Sequence, residues 1–176
     1  MTSIKLKITA LLLLALMVSA CSTTYPNKNP INQRFPDVVG TSLDDQTMNI
    51  PQDLPQEKVL LLLGYVQDSQ FDIDRWLIGL DMTQTQVAAF ELPTIQGMFP
   101  RMFQTQIDNG MRRGIPKELW GGVITIYADG DQIQQFTGNQ NPNNARVILL
   151  NENREIIYFY DRGFAVAALN EVRNLL

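Results

Sequence analysis

The chain contains no histidine, and its one cysteine is Cys21. A single Cys cannot close a disulfide within the chain, and thiol–disulfide exchange requires a reactive thiolate that forms a mixed disulfide. Ser–His–Asp and Cys–His nucleophilic systems need an imidazole, and Cys/His zinc sites need several such ligands. Any catalysis is therefore left to carboxylates, Lys, Arg, Tyr or a bound metal. Positive charge is also scarce, with 14 Lys and Arg against 18 Asp and Glu, a net charge of −4. An acidic surface argues against nucleic acid and against electrostatic adhesion to anionic lipid.

The chain opens with an address. Lys5 and Lys7 form a short basic region, Ile8 to Val18 is mostly Leu and Ala, and Val18-Ser19-Ala20 places small residues before Cys21. Such an order marks a secretory signal peptide over residues 1–20, and the apolar run is short for a bilayer span. An ordinary cleaved signal with an incidental Cys21 is the competing account. With Cys directly after the cut, the segment resembles the bacterial lipoprotein signal, which implies that Cys21 becomes the lipidated first residue. Position 22 is Ser rather than Asp, which by resemblance to enterobacterial sorting implies the outer membrane of a Gram-negative cell, facing the periplasm. Stable anchoring takes more than one acyl chain, which the lipoprotein modification implies. Removal of residues 1–20 leaves 156 of the 176 residues and a net charge of −6, because Lys5 and Lys7 leave with the signal. That length suits one domain with a real core.

Residues 21–33 follow as the lipidated Cys and a polar stretch with Pro26, Asn27, Asn29, Pro30 and Asn32, read as a flexible tether. The domain is expected over 34–176. Its organising stretch is Lys58–Val66, an apolar run of strand length without polar alternation. Such a run fits a strand buried on both faces, at the middle of a sheet flanked by helices. Ahead of it, Leu43, Met48 and Ile50 around Asp44-Asp45-Gln46 predict a β-hairpin.

Behind it, Asp68 or Ser69 can cap a helix whose apolar face is Ile73, Trp76, Leu77 and Leu80, with Asp72, Asp74 and Arg75 on the other side. Asp68, Asp72 and Asp74 could form a carboxylate site, but acidic residues also collect at a helix N-terminus through its dipole. Gln86–Leu92 is a second strand. Met98, Met102, Phe103 and Ile107 mark a further amphipathic helix, which Asn109-Gly110 can stop. Arg112 and Arg113 are the densest positive charge of the domain, either an anion or partner contact or helix C-terminal cations.

Val123–Ala128 is a strand. Asp129-Gly130-Asp131 lacks the further ligands of a calcium loop, so Asp129 is read as a turn and Asp131 as a helix cap. Ile133–Thr137 predicts a short helix stopped by Gly138, and Asn139–Asn144 a loop. Arg146–Leu150 and Ile156–Tyr160 form an antiparallel hairpin, and Ala165, Ala168, Leu169, Val172 and Leu176 a terminal amphipathic helix.

Phe35-Pro36-Asp37, Gly40, Leu43-Asp44, Ile50-Pro51 and the buried strand come in an order that resembles the start of peroxiredoxin and thioredoxin-like domains. The strand, hairpin, Gly and terminal helix at the other end resemble the C-terminal half of the same fold. That tail, with Gly110-Met111 and Val123–Ala128, also resembles the mitochondrial ATP synthase assembly-factor family, thioredoxin-like and not a known redox enzyme. The resemblance implies an α/β fold, a thioredoxin-like three-layer α/β/α sandwich with a central mixed sheet and an N-terminal β-hairpin.

Two departures bear on activity. The family's reactive Cys sits just after the buried strand, where this chain has Gln67-Asp68-Ser69. The family's cis Pro before the penultimate strand has no counterpart, since Asn143-Asn144-Ala145 precede Arg146. The expectation is a non-catalytic, redox-inactive binding or assembly module of the cell envelope with an envelope protein partner and no cofactor. Alternatives are a carboxylate-based or metal-dependent enzyme, drawing on Asp68, Asp72, Asp74 and Asp129, or a small-ligand binder. The vestigial groove would be lined by Gln67, Asp68, Ser69 and Asn144.

Overall fold

A computed structural model describes residues 23–176. The expected signal peptide and Cys21 lie outside the described residues. Among those described, no helix is long and apolar enough to cross a membrane.

Among the described residues, seven strands and five α-helices follow in order: β1 (Val38–Ser42), β2 (Thr47–Ile50), β3 (Val59–Gly64), α1 (Gln70–Met82), β4 (Ala88–Pro93), α2 (Met98–Met102), α3 (Gln104–Gly114), β5 (Ile124–Thr125), α4 (Gly130–Thr137), β6 (Arg146–Leu150), β7 (Ile156–Tyr160) and α5 (Val166–Leu175). The main sheet has the order β4-β3-β6-β7, with β3 and β4 parallel and the other pairs antiparallel. The predicted hairpin pairs β1 with β2 and adds β5 to form a second sheet. Bridges from Glu91 to Val123 and from Thr94 to Ile126 join that sheet to β4.

The unbroken apolar run of β3 is explained by its two faces. Val59, Leu61 and Leu63 enter one core with Phe35, Ile50, Ile124, Ile133 and Ile148, beneath the hairpin and α4. Leu60 and Leu62 enter the other with Ile73, Trp76, Val147, Leu169 and Val172, beneath α1 and α5. Side chains alternate along a strand, so a strand covered on both sides has no place for a polar residue at either parity. The outcome is the expected α/β fold, a central mixed sheet between helical layers.

Several local expectations are corrected. Leu77, assigned to the apolar face of α1, is 38% exposed, while Ile73, Trp76 and Leu80 carry the burial. Neither Asp68 nor Ser69 caps the helix through its side chain; residues 67–69 form a tight helical turn, and Ser69 Oγ donates back to the Val66 carbonyl at 2.6 Å. The single helix expected through Met98, Met102, Phe103 and Ile107 is two, α2 and α3, parted at Phe103 with φ −117°, and α3 passes Asn109-Gly110 and runs on to Gly114. Asp131 lies inside the first turn of α4, and the Asp129 carboxylate accepts the Val39 N–H at 2.9 Å.

The stretch read as a tether is bonded to the domain. Asn139 donates to the Thr23 carbonyl, and Tyr25 donates its N–H to Asn139 Oδ1. Lys28 donates its N–H to the Thr137 carbonyl, and Asn32 its own to Ile156. Gly138, at φ 79°, lets the arm pass so closely that a Cβ there would sit 2.3 Å from the Asn27 Cα. Polar composition here supplies side-chain amides that pair with backbone, a use that a count of apolar residues does not reveal.

Candidate functional site

A cavity of about 810 Å³ opens at the C-terminal ends of the parallel strands β3 and β4. Parallel strands that end side by side and pass into separate connections leave such a crevice. Gly64, Tyr65 and Val66 contribute from the end of β3, Gln67 and Ser69 from the turn, and Gln70, Ile73 and Asp74 from the first turns of α1. Glu91, Pro93 and Ile95 come from β4 and its exit, while Ile107, Met111 and Ile115 cover the cavity from α3 and its end.

The helix α3 buries none of its residues fully. Its apolar stripe at i and i+4 (Ile107 and Met111) serves as the cavity wall rather than as core. The helix is held from its other side. Arg112 Nε donates to the Leu43 carbonyl at 2.7 Å, its Nη2 pairs with Asp45 at 2.6 Å, and its guanidinium lies over Trp120. Tyr127 Oη donates to Asp108 at 2.9 Å. Burial pushes the Asp108 carboxyl up from its usual value, against the hydrogen bond from Tyr127.

At the base of the cavity stands Glu91, only 6% exposed. Its register partner across the parallel pair is Leu62, which faces α1, so Glu91 projects to that same face. Gln70 Nε2 donates to Glu91 Oε2 at 3.3 Å and to Asp74 Oδ1 at 2.9 Å, so one amide bridges two carboxylates. Desolvation raises the Glu91 carboxyl to about 6; the Gln70 bond lowers it and the Asp74 charge raises it further. Tyr65 is also buried and pushed up to about 12 by desolvation; its hydroxyl shares a 2.5 Å hydrogen bond with Thr137. Among the residues lining the cavity, none is Lys or Arg.

Of the groove residues expected from sequence, Gln67 and Ser69 reach this cavity, whereas Asp68 and Asn144 are not in its lining. Asn144 Nδ2 donates to the Asp161 carbonyl. Arg112, expected as an anion or partner contact, has its guanidinium engaged within the domain, and Arg113 stays exposed. Asp72, expected on the outer side of α1 beside Asp74, is buried. Its Oδ2 accepts the Ala145 N–H at 2.9 Å and its Oδ1 the Phe164 N–H at 2.6 Å. Two backbone donors satisfy the carboxylate, which is why it can sit inside. Asp68, Asp72 and Asp74 therefore do not converge. Among the described residues, no group of three or more His, Cys, Asp or Glu side chains is placed to hold a metal.

The residue that sequence reasoning misses is Glu91. A carboxylate at a core-facing position of a strand flanked by Ala89, Phe90 and Leu92 is the signal that could have found it.

No protein-family model matches the chain, and no curated protein matches it in sequence. Solved structures do match in fold. A thiol peroxidase from Chromobacterium violaceum superposes with a TM-score of 0.60 at 9% identity, covering 87% of this chain and 90% of that one. A peroxiredoxin-like protein from Aquifex aeolicus gives 0.55 at 10% identity, covering 88% and 92%. The pneumococcal exposed lipoprotein thioredoxin Etrx1 from Streptococcus pneumoniae gives 0.53 at 9% identity, covering 80% and 100%. The chain thus has a thioredoxin-like fold. At these identities the likeness defines architecture and leaves chemistry to the site itself.

Proposed function

We propose that the chain is a redox-inactive, thioredoxin-like binding or assembly module of the cell envelope, attached to the outer membrane by acyl chains on Cys21 and facing the periplasm. One observation carries this reading. The turn after β3, where the resembling family keeps its reactive Cys, is Gln67-Asp68-Ser69, and its inward side chain is Ser69, bonded to the Val66 carbonyl. With no imidazole in the chain, nothing of the ordinary kind activates that hydroxyl. The crevice remains while the nucleophile is gone, which suits capture rather than turnover.

The test pairs two measurements on the full chain: capture of envelope proteins, and turnover of a peroxide and a dithiol-reducible disulfide. Saturable capture of a defined partner without turnover is the expected outcome; peroxide or disulfide turnover overturns it. The anchor is tested separately. Cys21→Ser should abolish acylation and release the protein from the outer-membrane fraction, and an acylated, normally fractionating variant would refute the anchoring.

A second reading, a carboxylate-based enzyme, is favoured by Glu91 and Asp74 sharing Gln70, with Glu91 raised to about 6. A buried, weakly acidic carboxyl beside a second carboxylate is a pattern of acid–base sites. Hydrolytic turnover that Glu91→Gln abolishes without unfolding would establish it.

A further inference from the structure

We propose that the cavity between α1, β4 and α3 binds a small amphipathic cation, an aliphatic or aromatic body carrying a protonated amine set against Glu91 and Asp74. This assignment rests on the reading of the domain as a binding module and names what its crevice takes. Small-molecule sites are mostly apolar cavities of roughly 300–1,000 Å³ with a few convergent polar groups. A cavity of about 810 Å³ with Ile107, Met111 and Ile115 on one wall meets that description.

The sign of the ligand follows from the lining. Glu91 and Asp74 are its carboxylates, and no Lys or Arg among the described lining residues neutralises them. An anion entering here would meet two like charges and no counter-charge, whereas a cation meets two opposite ones. The head group follows from the free acceptors. Gln70 commits its Nε2 to Glu91 Oε2 and Asp74 Oδ1, and among the described residues nothing donates to Glu91 Oε1, Asp74 Oδ2 or Gln70 Oε1. An ammonium carries three N–H donors and no acceptor, the complement of such a set.

Burial supplies an independent reason. Glu91 is 6% exposed with one long hydrogen bond, from a neutral amide, so the protein itself compensates its charged form poorly. A cation bound there would provide the missing counter-charge. Asp108 and Asp45, the other carboxylates near α3, are engaged by Tyr127 and Arg112 and do not line the cavity.

The experiment is calorimetric titration of the full chain in phosphatidylcholine nanodiscs at pH 8, with empty nanodiscs as blank. The probes are 4-phenylbutylammonium, 4-phenylbutanol and 4-phenylbutanoate, which share a body and differ in head-group charge. The expected result is saturable binding of the ammonium, at least tenfold weaker binding of the alcohol, and no binding of the carboxylate. Glu91→Gln should weaken the ammonium at least tenfold and leave the alcohol unchanged. Gly110→Leu, which adds a side chain toward the cavity where a Cβ meets only Arg113 Nη2 at 3.9 Å, should abolish binding of both. Denaturant midpoints of both variants at or above wild type separate loss of binding from loss of fold. Absence of ammonium binding, equal or tighter carboxylate binding, or a Glu91→Gln affinity within twofold of wild type overturns the proposal. A chain that fails these titrations and still captures an envelope partner would overturn this assignment alone. A chain that binds the ammonium yet turns over peroxide or disulfide would overturn the redox-inactive reading alone.

Discussion

The Asp72 carboxylate holds the backbone of Ala145 across 73 residues of chain, at 2.9 Å, and with its other oxygen takes the N–H of Phe164. One buried anion thus ties α1 to the entry of β6 and to the approach to α5. A proline at position 145 would have no N–H to give, so this bond requires a residue other than proline there. Asp72→Ala leaves one buried and one half-buried donor without a partner. With charged hydrogen bonds contributing about 1.5–3 kcal/mol each, the loss should be about 3 kcal/mol or more by urea denaturation. Asp72→Asn, which keeps one acceptor, should lose about half as much. An unchanged midpoint for Asp72→Ala would mean that the clasp contributes nothing.

Glu91 carries a pH signature of known sign. Its carboxyl is raised from 4.5 to about 6 in the fold. A raised acid contributes stability that is present below pH 4.5 and lost as pH rises through 6. Above that, the buried charge costs about 2 kcal/mol, since each tenfold weakening of the acid corresponds to about 1.36 kcal/mol. Glu91→Gln should therefore stabilise the protein by about 1–2 kcal/mol at about pH 8 and change little at about pH 4. Denaturant melts at the two pH values decide it, and equal effects at both would place the cause elsewhere.

The architecture was legible because burial on both faces leaves a compositional trace: Val59–Leu63 has no polar residue to hide. The hairpins and α5 were legible by the same route, through turn residues between periodic segments. Asp72 was not, since an acidic residue in a first helical turn looks the same whether it faces water or two amides 73 and 92 positions away. Ile107 and Met111 were legible as an apolar stripe, but a stripe cannot say whether it meets a core or a cavity. Asn27 illustrates the remaining gap. Its amide looks like solvated linker until the partners at 140, 146 and 161 are brought beside it.

Leu62 and Leu77 test which face of each element is buried. Leu62 is fully buried between β4 and β6 and packs toward α1. Leu62→Ala should cost about 2–5 kcal/mol through lost burial and the cavity left behind. Leu77→Ala, at a position 38% exposed, should stay within about 1 kcal/mol. Comparable losses at the two positions would contradict the assigned faces.

Asn27 clasps the N-terminal arm to the loop before β6. Its Oδ1 accepts the Gln140 N–H at 2.9 Å and faces Arg146 Nη2 at 3.4 Å, while its Nδ2 donates to Asp161 Oδ2 at 3.0 Å. Arg146 is fully buried, and among the described residues it has no ion pair and its Nε no partner. It is sustained by the Asn141 and Asn144 carbonyls and by the Tyr65 ring beneath its guanidinium at 4.8 Å. Desolvation lowers its pKa, so each remaining acceptor matters. Asn27→Ala removes one of them and the partner of the Gln140 amide together, a loss of about 1–3 kcal/mol. The sharper readout is local. Hydrogen exchange at the Gln140 amide should accelerate well ahead of global unfolding, while the amides of β3 keep their protection. Unchanged protection at Gln140 would mean that the arm is held by its backbone bonds at Tyr25 and Lys28 and that the Asn27 side chain is dispensable.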